Sequence, residues 1–188
     1  VAFVDCSTGG PGLYIPPASR LLNTGYDAGA RIHSASWGGG LNPYQYDTMT
    51  RNIDTWLDND WDMLMLVAAG NSGRNNNPKS MGSPSIGKNV LSVAASQSYD
   101  QDLTWSQHGP DRIADFSSRG PTPDGRIAPH IVAPGQSILS ANAVPDEVGE
   151  CDPPKFTFSN GNGREAGLTF MQGTSMATPP PTEGGPGG

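Results

Sequence analysis

Ser175 lies in a run of seven residues, GTSMATP at 173–179, that suits a nucleophilic serine. Two small residues lead into the serine, and the Met-Ala that follows it is compatible with a helix. At the first turn of a helix a serine hydroxyl stands clear of the backbone, and the unpaired N–H groups of that turn can bind a developing oxyanion. The run therefore predicts a nucleophile at the start of a helix, a position that the surrounding elements must provide.

Apolar runs that end at glycine or proline alternate with helical patterns along the chain. Helices are predicted at 17–28 and 43–59, where apolar residues recur three or four positions apart. Strands are predicted at 1–5, 31–37, 63–69, 90–95 and 131–133. This order predicts an α/β fold with a mainly parallel sheet and helices on its faces. Ligands bind beyond the carboxyl ends of such strands, so we expect a cleft near the turns at Gly38 and Gly70.

The composition indicates one ordered domain with an acidic surface. The chain carries 11 basic and 18 acidic side chains, a formal charge of −7, which argues against a nucleic-acid partner. A membrane partner is not expected either, because no stretch approaches the roughly 20 apolar residues of a membrane span. The end of the chain, 180–188, is rich in Pro and Gly and is predicted to be disordered. Cys6 and Cys151 could form one disulfide or none.

Five motifs, in their order along the chain, resemble signatures of the subtilisin family of serine peptidases. They are SWG at 36–38, AAGN at 68–71, FSSRGP at 116–121, VAPG at 132–135 and the serine heptad at 173–179. The resemblance implies a subtilisin-like three-layer sandwich with a mainly parallel sheet, truncated at both ends. Residues 1–179 would then be the C-terminal portion of a peptidase domain.

The resemblance also implies a reaction and the residues that perform it. The reaction would be endopeptidase cleavage of a polypeptide through an acyl-enzyme on Ser175. Asn71 would donate its side-chain amide to the oxyanion, beside the Ser175 N–H. The remaining assignments concern substrate binding, by strand pairing at Ser36, Trp37 and Gly38 and by a side-chain pocket walled by Ala68, Ala69 and Gly70.

No cofactor is expected. The family often binds structural calcium, but the acidic stretches 54–62 and 146–152 lack the ligand alternation of a dedicated loop, so a solvated acidic surface is the interpretation favoured over a metal site.

The sequence departs from the family in its acid and base. The family's chain order is aspartate, histidine, serine, and its first two motifs would precede Val1. None of the three histidines, His33, His108 and His130, is followed by the Gly-Thr that opens the family's histidine helix. We therefore expect residues 1–188 to be inactive alone, because a serine without a base stays protonated. The missing N-terminal segment of the catalytic domain would be the partner. The family is largely secreted, but the sequence itself indicates no location.

Two other interpretations remain open at this stage. The chain could be a non-catalytic peptide-binding module or pseudoenzyme that accepts an extended peptide along 36–38 by strand addition. A sedolisin-type acid peptidase shares a similar serine motif, but it should carry aspartate where this sequence has Asn71.

Overall fold

The computed structural model of the chain describes residues 1–4, 6, 13–39, 44–98, 109–141 and 168–179. Within these ranges four strands form a parallel sheet in the order β1-β2-β3-β4, and two more form an antiparallel ribbon. The sheet consists of β1 (Ile32–Ala35), β2 (Leu64–Ala68), β3 (Val90–Ser96) and β4 (Ile131–Pro134). The ribbon pairs β5 (Ile138–Ala141) with β6 (Leu168–Met171), and the helices are α1 (Ala18–Asp27), α2 (Thr48–Asn59) and α3 (Thr174–Ala177).

The parallel sheet lies between two helical layers, as the sequence predicts. Residues along β2 alternate between the faces: Met65 and Val67 pack with α1 and α2, whereas Leu66 packs with Ala177 of α3. The register is continuous, with Met65 opposite Val90 in β3. This arrangement confirms the predicted three-layer α/β architecture. Among the described helices, none has the length and apolar character needed to cross a bilayer.

Helix α2 begins five residues later than its pattern predicts. The carboxylate of Asp47 accepts the backbone N–H of Thr50 at 2.8 Å, so Asp47 is the N-cap and Thr48 is the first helical residue. An aspartate at this position satisfies an N–H that has no partner inside the helix. Capping therefore fixes the boundary, while the apolar spacing of Ile53 and Leu57 fixes only the buried side.

The predicted strand at 1–5 is wrong over the four of its residues that the structure describes. Residues 1–4 adopt no strand conformation, and the side chains of Val1 and Phe3 are almost fully exposed. A strand exists only when its backbone pairs with a neighbour, and none of the described strands pairs with this segment. The predicted tail at 180–188, the acidic stretch 146–152 and Cys151 lie outside the described residues.

Candidate active site

A cleft of about 520 Å³ opens where the carboxyl ends of β1 and β2 meet the start of α3. This is the edge of a parallel sheet at which ligands bind in open α/β folds. All eight predicted site residues line it: Ser36, Trp37, Gly38, Ala68, Ala69, Gly70, Asn71 and Ser175. The structure therefore brings together residues that the sequence distributes over three separate segments.

Ser175 is the second residue of α3, and α3 is anchored from behind by glycine. The N–H of Gly173 donates to the carbonyl of Gly135 at 2.8 Å, directly after β4. A Cβ atom at Gly135 would lie 2.8 Å from the carbonyl oxygen of Gly173 and 3.0 Å from the Cβ of Ala177, so only glycine permits this approach. Ala177 is fully buried against the sheet. Contacts on the far side of the helix therefore hold Ser175 at the cleft.

The orientation of the Asn71 side chain follows from its hydrogen bonds. Its Oδ1 accepts the N–H of Thr174 at 2.9 Å and the hydroxyl of Thr174 at 3.0 Å. A backbone N–H can only donate, so the atom facing Thr174 must be the amide oxygen. The Nδ2 group, which donates, is thereby set beside Gly173, where an added Cβ would lie 3.4 Å from it. The Nδ2 donor of Asn71 therefore lies beside Gly173, which precedes Ser175 by two positions in the sequence.

The turn that carries Asn71 requires glycine at position 70. Gly70 has a φ of +106°, and a Cβ there would lie 2.9 Å from the hydroxyl oxygen of Ser118. The Gly70 N–H donates to the Thr174 hydroxyl at 3.1 Å, while the Ser118 hydroxyl accepts the N–H of Ser72 at 3.1 Å. Thr174 and Ser118 therefore hold the Asn71 turn from its two ends.

Sequence reasoning assigned no separate role to Thr174, Ser118 or Gly135, although all three lie inside the quoted motifs. Their function as supports depends on contacts across the fold: Gly70 and Thr174, for example, are 104 positions apart. The only feature of the sequence that pointed to close packing at Ser118 and Gly135 was the concentration of small residues at 116–121 and 132–135.

Ser175 contacts the opposite cleft wall through a reciprocal pair of hydrogen bonds with Ser36. The Ser175 hydroxyl donates to the backbone carbonyl of Ser36 at 2.9 Å. In return, the Ser36 hydroxyl donates to the backbone carbonyl of Ser175 at 2.8 Å. The first residue after β1 is thereby joined to the first turn of α3.

The cleft is lined by both small residues and larger apolar ones. Ala69 has no exposed surface and packs with Met81 and Ile86, so it forms the back of the wall. At Gly38 a Cβ would lie 2.9 Å from the carbonyl oxygen of Ser83, which excludes a side chain there. The apolar lining consists of Leu13, Ile15, Trp37 and Met49.

The structure describes two of the three histidines, and neither lines the cleft. His33 lies within β1, and burial lowers its pKa. His130 precedes β4, at the amino end of that strand, and its Nδ1 accepts the N–H of Ser92 at 3.0 Å. Burial, followed by the positive charge of Arg126, lowers the pKa of His130. His108 lies outside the described residues.

The described part of the chain contains no group of three or more His, Cys, Asp or Glu residues arranged to hold a metal ion.

Two known proteins are similar to this chain over most of its length. Serine protease AprX of Bacillus subtilis (strain 168) is 34% identical over 154 residues, which are 79% of this chain and 31% of that protein. Pyrolysin of Pyrococcus furiosus is also 34% identical, over 80% of this chain and 10% of its own length. The chain thus spans between a tenth and a third of these two relatives.

Solved structures and a family model extend the likeness to nearly the whole chain. The structure entitled prenylagaramide maturation protease PagA has the same fold, with a TM-score of 0.54 and 23% identity over 87% of this chain and 45% of that one. Sphericase gives a TM-score of 0.51 and 25% identity over 88% of this chain and 44% of its own. The model of the subtilase family matches residues 1–180. The chain accordingly belongs to the subtilase family.

Proposed function

We propose that this chain supplies the nucleophile, the oxyanion site and part of the substrate cleft of a serine endopeptidase. The observation that carries the proposal is the double hydrogen bond between Asn71 Oδ1 and Thr174, because it aims a side-chain donor at the space beside Ser175. Membership of the subtilase family supports the same reaction. Residues 1–179 would act as the C-terminal portion of the peptidase domain.

In the proposed reaction, the Ser175 hydroxyl oxygen attacks the carbonyl carbon of a peptide bond while its proton passes to a base. The carbonyl oxygen becomes an oxyanion between Asn71 Nδ2 and the Ser175 N–H, which lies in the first turn and has no intrahelical acceptor. The C–N bond then breaks, the base protonates the leaving amine, and water hydrolyses the acyl-enzyme.

The substrate class follows from the shape of the cleft. Residues 36–38 directly follow β1, which pairs on one side with β2 and with no other described strand. An extended peptide can add to such an edge through its backbone. The apolar side chains that line the cleft suit a hydrophobic substrate side chain, and burial of such a side chain would contribute about 1.5–3 kcal/mol. We therefore propose extended polypeptides with bulky apolar residues as substrates.

The base is the component that the described residues do not supply. We propose that the histidine and aspartate come from the segment that the family places ahead of Val1, and that residues 1–188 alone react slowly. Loss of triad members in subtilisin leaves about 10³–10⁴-fold catalysis over water, which sets the expected scale of the residual rate.

A fluorophosphonate probe, which reacts with activated serines, tests the proposal. The full-length protein that carries these residues should be labelled at Ser175, and Ser175→Ala should abolish labelling without changing the thermal midpoint by more than a few degrees. A folded but unlabelled full-length protein would overturn the peptidase proposal. Rapid labelling of residues 1–188 alone would overturn the proposed external base.

The peptide-binding module is the second candidate, and the segment 36–38, which continues from the edge strand β1, favours it. Peptide binding without labelling or cleavage in the full-length protein would select this candidate. Binding that is accompanied by cleavage, and cleavage lost in Ser175→Ala with binding retained, would select the peptidase.

A further inference from the structure

The backbone carbonyl of Ser175 lacks the donor that an α-helix normally provides. In a helix the carbonyl of residue i accepts the N–H of residue i+4. The preceding carbonyl, that of Thr174, accepts the N–H of Thr178 at 3.1 Å in this way. Thr178 keeps helical angles, with φ −75° and ψ −41°, so residue 179 follows in the position of the next donor. Residue 179 is proline, which carries no N–H.

The Ser36 hydroxyl occupies the place of that absent donor. It lies 2.8 Å from the Ser175 carbonyl oxygen and comes from the strand end on the opposite wall of the cleft. The bond is exposed, so water could also satisfy this carbonyl; what the Ser36 hydroxyl adds is a donor fixed to the opposite wall, which restrains the turn that carries Ser175. The contact also joins α3 to the strand along which the substrate would lie.

We propose that Ser36 is a positioning residue, whose hydroxyl substitutes for the missing Pro179 amide and holds the Ser175 backbone in its reactive geometry. The inference rests on the proposed peptidase function. It adds a side-chain role to a residue whose backbone alone was expected to bind substrate. The Ser175 hydroxyl can rotate away from the Ser36 carbonyl towards a base, while the bond from the Ser36 hydroxyl to the Ser175 carbonyl persists. The backbone N–H that faces the oxyanion therefore stays in place during the reaction.

A double-mutant cycle tests this role, because Pro179→Ala restores the backbone donor. In the full-length protein, Ser36→Ala should lower kcat and the rate of Ser175 labelling by about 5- to 10-fold, the equivalent of one hydrogen bond, with KM unchanged. In a Pro179→Ala background the same substitution should lower both rates less than about twofold. Ser36→Thr, which keeps the hydroxyl, should retain most of the rate. Ser19→Ala removes an exposed hydroxyl from α1, away from the cleft lining, and should leave both rates unchanged.

Two results would overturn the positioning role. One is an equal effect of Ser36→Ala in both backgrounds, and the other is a rise in KM with kcat unchanged. Thermal unfolding of the wild type, the two single variants Ser36→Ala and Pro179→Ala, and the double variant separates failure of the positioning role from failure of the proposed function. If the wild type is never labelled, the peptidase proposal fails. The positioning contact then stands or falls on whether the Ser36 and Pro179 substitutions are non-additive in their thermal midpoints.

Discussion

The amide oxygen of Asn71 accepts both the N–H and the hydroxyl of Thr174, at 2.9 and 3.0 Å. The two residues are 103 positions apart, and the same hydroxyl accepts the N–H of Gly70 at 3.1 Å. One buried hydroxyl therefore connects the turn at Gly70 and Asn71 to the start of α3. A side chain that makes both bonds fixes the direction in which the Asn71 donor points.

Replacing Thr174 by valine should weaken both the fold and the site. The Gly70 N–H would lose its acceptor, and the Asn71 Oδ1 would lose one of the two groups that donate to it. The free energy of unfolding should therefore fall by about 1–3 kcal/mol. Labelling of Ser175 should slow as well, because one hydrogen bond instead of two then holds the Asn71 amide in its orientation. Urea denaturation and probe kinetics measure the two effects. Thr174→Ser keeps the hydroxyl and serves as the control, and equal losses in both variants would contradict the explanation.

Asn71→Asp separates the anchoring function of this side chain from its donor function. An aspartate oxygen can still accept both bonds from Thr174, but an ionised oxygen replaces the Nδ2 donor. Folding should be retained, while kcat/KM should fall at least 100-fold, since removal of one oxyanion donor costs about 10²–10³-fold in subtilisin. Circular dichroism and peptide hydrolysis by the full-length protein test this, and an Asp variant with near wild-type activity would remove Asn71 from the mechanism.

Gly135→Ala should displace α3, the helix that carries Ser175. The added methyl carbon would lie 2.7 Å from the Cβ of Ala95 and 2.8 Å from the carbonyl oxygen of Gly173. Overpacking of this kind costs about 1–3 kcal/mol. We also expect slower labelling of Ser175, because Gly173 is the N-cap residue of the helix that carries Ser175. Denaturant unfolding measures the loss of stability.

Gly25→Ala is the matched control for this glycine prediction. Gly25 lies inside α1, and an added Cβ would make an ordinary contact of 3.7 Å with the Cβ of Ala30. Alanine is favoured over glycine within a helix by about 0.5–1 kcal/mol. The control should therefore stabilise the protein without affecting labelling, and a destabilised Gly25→Ala variant would undermine the contact argument.

The buried carboxylate of Asp54 should be among the most sensitive polar positions outside the cleft. It accepts the backbone N–H groups of Lys88 and Asn89 at 2.7 and 2.9 Å and the hydroxyl of Tyr46 at 2.8 Å. Asp54→Ala should lower the free energy of unfolding by about 2–4 kcal/mol, because these donors lose their acceptor. Asp58→Ala, on the exposed side of the same helix, should change it by less than about 0.5 kcal/mol.

Tyr46 should confer a pH dependence on stability in alkaline solution. Burial, followed by its hydrogen bond to Asp54, raises the pKa of Tyr46 from 10.0 to about 12. A raised pKa means that the folded state favours the neutral phenol, so this contribution is complete below pH 10.0 and is lost as pH rises towards about 12. Tyr46→Phe should flatten that part of the stability curve. A curve with the same alkaline decline in both proteins would exclude Tyr46 as its source.

The sheet could be predicted from the sequence because buried parallel strands appear as continuous apolar runs. The run that contains Met65, Leu66 and Val67 must be buried on both faces, and the structure packs its residues against both helical layers. The turns at Gly38 and Gly70 then predicted the cleft, since parallel strands end at a common edge.

Other features could not be predicted because they depend on distant partners. The apolar run at 1–5 has the composition of a strand, yet strand formation also requires a neighbouring backbone. The support that Thr174 gives to Asn71 and the contact of Ser36 with Ser175 join segments more than 100 positions apart. The spacing of residues within a motif does not show which distant residues they will contact. The motifs therefore identified the site residues but could not predict the hydrogen bonds between them.

The bond between Ser36 and Ser175 spans 139 positions, and it has a consequence for how the molecule matures. Contacts of such high contact order form late, after the long intervening loop has closed. Helix α3 has only four residues, far fewer than an isolated helix needs to persist in water. During synthesis β1 to β4 leave the ribosome before α3, so the proposed nucleophile can dock at the cleft only after those strands are available.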